Sequence, residues 1–296
     1  MKNLLNYLYS INIDKVKEFN TGYIIKDLNN NLYLLNNVDN KSNINSVINI
    51  LIGNRLKVKH YLYRFNIYNQ VLTYVDGKYY TLVKLDSDYN EEIDFVDMLT
   101  FYNSVNINNL KINYVLWEEK WENKINYFLN QDLNNQVKDK KIIIYFWYYI
   151  GVAENSLLYL KNINNNFKTG GHNGFCFTHR RISFPCKKID FYNPNDFYID
   201  IKERDIAEYI KSLFYNNEDY LTELDYYFKT NILSNYDASM LYARIVYPSV
   251  FFDYYESRDE SFNYPLLFDP DKFEIFIKKT YELINSYVQI NKIDWL

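Results

Sequence analysis

The stretch from Phe175 to Tyr209 concentrates the residues of this chain whose types and spacing could do chemistry. It reads Phe175-Cys-Phe-Thr-His179-Arg180-Arg181, then Phe197-Tyr-Ile-Asp200, then Arg204-Asp205-Ile-Ala-Glu-Tyr209. An apolar strand leads into His179. Asp200 supplies a carboxylate, the donor a hard divalent cation needs, and Asp190 and Asp196 lie nearby in what reads as a solvated turn around Pro194. Both cysteines and two of the three histidines also fall close together, as His172, Cys176, His179 and Cys186. Two thiolates and two imidazoles suit tetrahedral zinc. The H-x3-C-x2-H-x6-C spacing is no zinc-finger arrangement, however, and on a strand Cys176 and His179 face opposite sides. Cys176 therefore reads as a small buried apolar residue.

A loop entered through a strand and a histidine resembles the phosphotransferase template H-x-D-x-x-x-x-N. There the Asp is the general base, the Asn holds a metal, and an Asp some twenty residues on binds Mg2+. Asp200 stands at about that distance, and Asp205-Ile-Ala resembles the start of the helix whose Asp anchors the catalytic loop in aminoglycoside-phosphotransferase-like proteins. The base position, however, is Arg181, and the Asn position is Cys186. A guanidinium cannot accept a proton from a substrate hydroxyl, and it sets a fixed positive charge where Mg2+ belongs. The strand that should carry a phosphate-binding Lys reads Leu32-Tyr-Leu-Leu35-Asn36-Asn37, the following helix Asn43–Ile52 has no Glu to pair with it, and Gly22 stands alone where a glycine-rich loop would be. The losses agree with one another. They leave His179 as a buried scaffold residue or a catalytic one, and Asp200 as a residual cation ligand or the partner of Arg181 in an internal ion pair.

Adding Leu241-Tyr-Ala-Arg244-Ile-Val-Tyr-Pro248 to these motifs narrows the resemblance to the spore-coat kinase-like family of spore-forming Firmicutes, the CotS/YutH type. The likeness covers about residues 170–256. It implies an α+β, two-lobed, kinase-like fold and a cytoplasmic protein that joins the spore coat. It also implies Asp200 as metal ligand, His179 as loop scaffold and Asp205 as loop anchor. Three functions follow. The first is a non-catalytic structural or interaction protein, with protein partners such as other coat proteins and no cofactor. The second is a small-molecule phosphotransferase with atypical catalytic residues, requiring ATP and Mg2+. The third is a nucleotide-binding sensor.

The elements that must position these residues divide near residue 85. Before it, a short helix over 1–13 precedes a hairpin of Tyr23–Asp27 and Leu32–Leu35 turning at Asn29–Asn31. A helix over Asn43–Ile52 ends at Gly53. Strands at His60–Phe65 and Gln70–Val75 follow, with Asp76-Gly77 a hairpin turn into Tyr79–Lys84. This predicts a small β-rich lobe at 1–85. Residues 86–296 form a larger helical lobe, with periodicity at Ile93–Tyr102, Trp117–Leu129, Lys140–Leu160, Asp205–Phe214, Tyr220–Thr230, Asp237–Val246 and Asp271–Ile290, and short strands at Gly174–Thr178 and Asp196–Asp200. In the helix over Asp205–Phe214, Ile206, Tyr209, Ile210 and Leu213 face the core, while Glu208 and Lys211 face out. Arg244 either binds an anion or pairs with Asp205 or Glu208. The run Phe251-Phe-Asp-Tyr-Tyr255 is buried or forms an interaction patch.

Composition closes off several classes. With a net charge of −4 and no basic block, the footprint of a nucleic-acid binder is missing. The longest apolar run, Ile142–Val152, stops well short of the roughly 20 residues of a membrane span. Only 7 Gly and 5 Pro argue against a disordered chain. The Asn-, Ile-, Tyr- and Lys-rich mix reads as AT-rich codon bias, so Asn29–Asn31 and Asn164–Asn166 are expected to be loop tips. Two Cys and no signal peptide point to a reducing cytoplasm.

Overall fold

The computed structural model describes residues 2–19, 22–38, 41–53, 62–104, 107, 115–132, 140–166, 175–257 and 265–293. They form two compact units. The first comprises 1–106, 177–180 and 185–199; the second comprises 107–176, 181–184 and 200–296.

The first unit is built on an antiparallel sheet. Helix α1 (Lys2–Tyr9) leads into β1 (Ile13–Phe19), β2 (Gly22–Asp27) and β3 (Leu32–Asn37), then α2 (Lys41–Gly53), β4 (Leu62–Arg64), β5 (Thr73–Val75) and β6 (Lys78–Leu85). The sheet order is β1-β2-β3-β6-β4, with β5 paired to β6. Alternation explains its two buried faces. Ile25, Tyr33, Leu35 and Leu82 meet Leu5, Leu8 and Tyr9 of α1 on one side, and Ile24, Leu34 and Val83 are buried on the other. The β2–β3 turn is held by Asp27, whose carboxylate accepts from the backbone N–H groups of Asn29 and Asn31 and from the Tyr33 hydroxyl. Asp76 and Gly77 both have positive φ, +49° and +81°, which is what a two-residue hairpin joining β5 to β6 requires. The strand β1 was not foreseen. Its burial pattern is almost wholly exposed, so it carries no apolar alternation, and it forms by pairing with β2. Of the strands expected at 60–65 and 70–75, the ends at Leu62–Arg64 and Thr73–Val75 form; His60 and Tyr61 lie outside the described residues. After α3 (Phe95–Ser104) the chain leaves this unit.

The second unit is helical. It holds α4 (Val115–Asp132) and α5 (Lys140–Asn166). Asn164–Asn166 thus close α5 instead of tipping a loop, because the apolar positions Tyr159, Leu160 and Ile163 carry the helix through them. Next in the chain come β7 (Cys176–His179), α6 (Lys188–Phe191) and β8 (Phe197–Asp200); β7 and β8 pair in a two-stranded sheet, and apart from Cys176 and Asp200 these elements belong to the first unit. The chain then runs through α7 (Glu203–Tyr215), α8 (Tyr220–Thr230), α9 (Asn235–Val246), α10 (Ser249–Ser257) and α11 (Pro270–Tyr287). The starts carry their own signals. Ser234 caps α9 through the Asp237 N–H, and Asp269 caps α11 ahead of Pro270 at its first turn. Helix α9 stops before Pro248, as the residue preceding a proline is pushed out of the helical region. Phe251, Phe252 and Tyr255 are buried, Phe251 stacked on Tyr149 and Phe252 on Phe128, so the aromatic run is core. Among the described residues no helix is long and apolar enough to cross a membrane.

Candidate functional site

His179, at the end of β7, belongs to the first unit. It is buried in an aromatic nest of Phe101, Phe191 and Phe197. Its Nε2 lies 2.5 Å from the Phe191 carbonyl oxygen. Both bonds and rings hold it as a scaffold of the β7–α6 segment. Cys186, in the expected metal-ligand position, is a buried free thiol whose carbonyl accepts from the Ile93 N–H. Cys176 is likewise buried and free, its Sγ 3.7 Å from the Asp200 carbonyl oxygen, and burial pushes its thiol pKa well up. A thiol so disposed is a poor source of thiolate. His172 lies outside the described residues, and among those described no cluster of three potential metal ligands occurs.

Asp200, at the end of β8, opens the second unit's side of the site. It is buried, and each carboxylate oxygen is engaged. Oδ1 accepts from the Ile201 N–H at 2.9 Å and Oδ2 from Trp117 Nε1 at 2.9 Å. Arg204 lies 3.5 Å and Arg244 3.6 Å from Oδ2. Arg181 is not its partner. That guanidinium makes a bidentate pair with Asp253 of α10, Nε to Oδ2 at 2.5 Å and Nη2 to Oδ1 at 3.0 Å, and its side chain is 50% exposed. The loop that carries Arg181 is tied back to α7, because the Phe184 N–H donates to Ser212 Oγ and Asn216 donates to the Phe184 carbonyl. This geometry turns Arg181 toward α10. Arg244 pairs with Asp200 and not with Asp205 or Glu208. Asp205 is fully buried in the first turn of α7.

The expected outward face of α7 is also corrected. Lys211 is completely buried and donates to Glu208 (2.8 Å), the Tyr247 carbonyl (3.1 Å) and Ser249 Oγ (2.5 Å). A lysine can enter the interior only with its ammonium so satisfied. Burial pushes the Glu208 carboxyl up, but the charges of Lys211 and Arg181 and the hydrogen bonds from Lys211 and Ser249 outweigh it and hold the pKa down at about 2. For Lys211 burial wins and its pKa is lowered, despite Glu208.

Around these groups lies a cavity of about 170 Å3, entirely within the second unit and walled by α4, the Arg181 loop, α7, α9 and α10. Helix α4 contributes Trp117, Lys120, Trp121 and Lys124, at the i, i+3, i+4, i+7 spacing of a single helical face. That spacing was the sequence signal for this wall. Trp121 stacks on Tyr247 at 4.1 Å, while Lys120, Arg204 and Arg244 gather over the Trp117 ring at 4.6, 5.1 and 4.3 Å. A nucleotide-bound Mg2+ does not fit this donor set, because the one carboxylate at the expected position already faces two guanidinium groups and an indole N–H.

Similarity to known proteins agrees with this geometry on the fold. Solved structures of phosphotransferases share it. An aminoglycoside phosphotransferase from Alicyclobacillus acidocaldarius matches with a TM-score of 0.62 at 10% identity, over 94% of this chain and 96% of that one. A spectinomycin phosphotransferase solved with ADP and spectinomycin matches at 0.55 and 12%, over 97% of each. The fold is thus α+β and kinase-like, with an antiparallel sheet in its N-terminal part and helices in its C-terminal part. The endospore coat-associated protein YutH of Bacillus subtilis is 27% identical over 202 residues, 60% of this chain and 57% of that protein's length. The family model described as spore coat putative kinase YutH matches residues 2–261, and the chain belongs to that family.

Proposed function

We propose that this chain is a catalytically degenerate member of its family, a pseudokinase that works as a structural or interaction protein of the spore coat. It is made in the cytoplasm and acts by contacts with other coat proteins. The observation that carries the reading is the state of Asp200, the carboxylate expected to hold Mg2+. It accepts from Trp117 and sits between Arg204 and Arg244, and the base position is taken by Arg181, itself clamped by Asp253. Phosphoryl transfer rests on positioning and on metal neutralisation of phosphate charge, and these residues offer neither the metal site nor the base. The coat association of the Bacillus subtilis relative supports the location.

Thermal unfolding with ATP, ADP and GTP, each with and without Mg2+, tests this. Millimolar nucleotide bound at about 10 μM would stabilise the fold by roughly 2.7 kcal/mol, a rise in Tm of several degrees. The expected result is no Mg2+-dependent rise with any nucleotide. A rise with ATP that requires Mg2+ would return Asp200 to metal binding and overturn the proposal.

A further inference from the structure

Among the described residues, Lys120, Lys124, Arg181, Arg204 and Arg244 line the cavity of the second unit with one carboxylate, Glu208. Arg181 is matched by Asp253, Lys124 by Glu256 and Lys211 by Glu208. Asp200 faces both Arg204 and Arg244. Lys120, on the solvent side of the same wall, has its cation over Trp117 and no carboxylate partner among the described residues. Lys120, Arg204 and Arg244 converge on Trp117. Arg244 adds a second, independent sign. Only 5% of its side chain is exposed, it lines the cavity, and its Nε and Nη2 make no hydrogen bond among the described residues. A buried guanidinium with two such N–H groups costs free energy unless an acceptor meets them. The pKa of Lys120 is lowered first by burial and next by Arg204, with Arg244 adding to it and Asp200 opposing.

We propose that this cavity is a binding site for a small phosphate monoester. The cationic lining matches a dianion, and a phosphate monoester carries about −1.5 to −2 at pH 7 and three terminal oxygens. Cations reach the cavity from α4, α7 and α9, three directions that suit a tetrahedral anion better than a planar carboxylate with two oxygens. Size sets the rest of the ligand. Sites for drug-sized molecules enclose about 300–1,000 Å3, and this one encloses about 170 Å3. It encloses a phosphorylated fragment of a few carbons, such as a glycerol or small-sugar phosphate, and is too small to enclose a whole nucleotide. The site does not depend on whether the chain transfers a phosphoryl group.

Calorimetric titration of the full chain with glycerol 3-phosphate, glycerate and glycerol tests this directly. Binding of glycerol 3-phosphate at millimolar concentration or below, weaker binding of glycerate and none of glycerol are expected. Lys120→Met should weaken glycerol 3-phosphate binding about tenfold and Lys120→Glu should abolish it, since a charge-assisted contact is commonly worth a decade of affinity. Lys120 is exposed, so both variants should fold. Arg244→Met should also abolish binding, read alongside circular dichroism because that residue is buried. Lys229→Met, on the exposed face of α8 away from the cavity, should bind as the parent does. No heat with glycerol 3-phosphate up to about 10 mM, or binding that Lys120→Glu leaves intact, would overturn the site. Glycerate bound as tightly as glycerol 3-phosphate would overturn the choice of phosphate.

Discussion

Replacing Lys211 by Met isolates a fully buried charge of the second unit. Methionine has nearly the volume of the lysine stem, so packing against α9 and α10 is kept and only the ammonium goes. Three hydrogen bonds are lost with it, to Glu208, to the Tyr247 carbonyl and to Ser249. Breaking a buried pair by removing one partner commonly costs about 3–5 kcal/mol, most of it the penalty on the charge left behind. Glu208 is not left wholly alone, since Ser249 Oγ remains at 3.0–3.1 Å from both its oxygens and the positive charge of Arg181 still acts on it. The lower end of that range, about 3 kcal/mol, is therefore expected at pH 7, equivalent to a fall in Tm of roughly 6–12 °C for a unit of this size. The loss also has a pH signature. In the parent chain the Glu208 pKa is held at about 2, below its unfolded value of 4.5, so its stabilisation is present above pH 4.5 and lost as pH falls toward 2. In Lys211→Met the carboxyl rises toward its protonated form, and the penalty should shrink as the pH is lowered from 7 to 4. The double variant Glu208→Gln with Lys211→Met removes both charges and should recover at least half of the loss. Urea denaturation of the four proteins at pH 7 and pH 4 provides the cycle. A Lys211→Met penalty under about 1 kcal/mol, or a double variant as destabilised as the two single losses added together, would refute the claim that a buried ion pair organises α7 against the Pro248 turn.

Two further outcomes follow from named positions. Gly22→Ala should destabilise the β2–β3 pairing by more than about 2 kcal/mol, because an added Cβ would stand 2.2 Å from the Leu35 carbonyl oxygen on the neighbouring strand; a melting temperature equal to the parent's would contradict the close approach. Glu203, buried in the first turn of α7, has its carboxyl pushed up to about 7, by burial first and by Asp237 next, against a smaller opposing effect of Lys202. A folded pKa above the unfolded value of 4.5 means stability that is complete below pH 4.5 and declines as pH rises to about 7. Glu203→Gln should flatten that decline, measured as urea midpoints across the range, and an unchanged slope would count against a protonated Glu203.

Much of the fold was legible because its signals are local. Asp76-Gly77 needs two positive φ angles that few pairs supply, and Pro248 and Pro270 mark a helix stop and a helix start by geometry alone. The strand β1 was not legible, since its exposed Lys, Glu and Asp side chains say nothing about a partner that only β2 provides. In the site, the identity of the residues that break the phosphotransferase pattern could be read directly, but their pairings could not. Arg181, Arg204 and Arg244 are equivalent suitors for Asp200 in one dimension. The choice among them is made by the Ser212 hydrogen bond that ties the Arg181 loop to α7 and by the pairing of Arg181 with Asp253 of α10. Helical spacing with Ile206, Tyr209, Ile210 and Leu213 on the core face assigns Lys211 to the outward face. The turn after α9 bends the Tyr247 carbonyl and Ser249 hydroxyl onto it, and no periodicity encodes that.

On the proposed reading, these substitutions change the sign of the site as well as its activity. A phosphotransferase of this fold needs a base Asp, a metal-binding Asn and a metal-binding Asp, groups whose combined charge holds divalent cations and, through them, phosphate. On that reading Arg181 stands at the base position and the buried thiol of Cys186 at the Asn position, while Asp200 is flanked by Arg204 and Arg244. Loss of a base alone would leave an inert acidic pocket, since a carboxylate without its metal repels phosphate. The second unit instead places guanidinium and ammonium groups directly where metal ions would otherwise mediate, and Trp117 holds three of them by their faces. Direct cations bind phosphate without Mg2+ and without in-line geometry for transfer, so a site rebuilt in this way can retain a phosphorylated ligand while having no means to move its phosphoryl group.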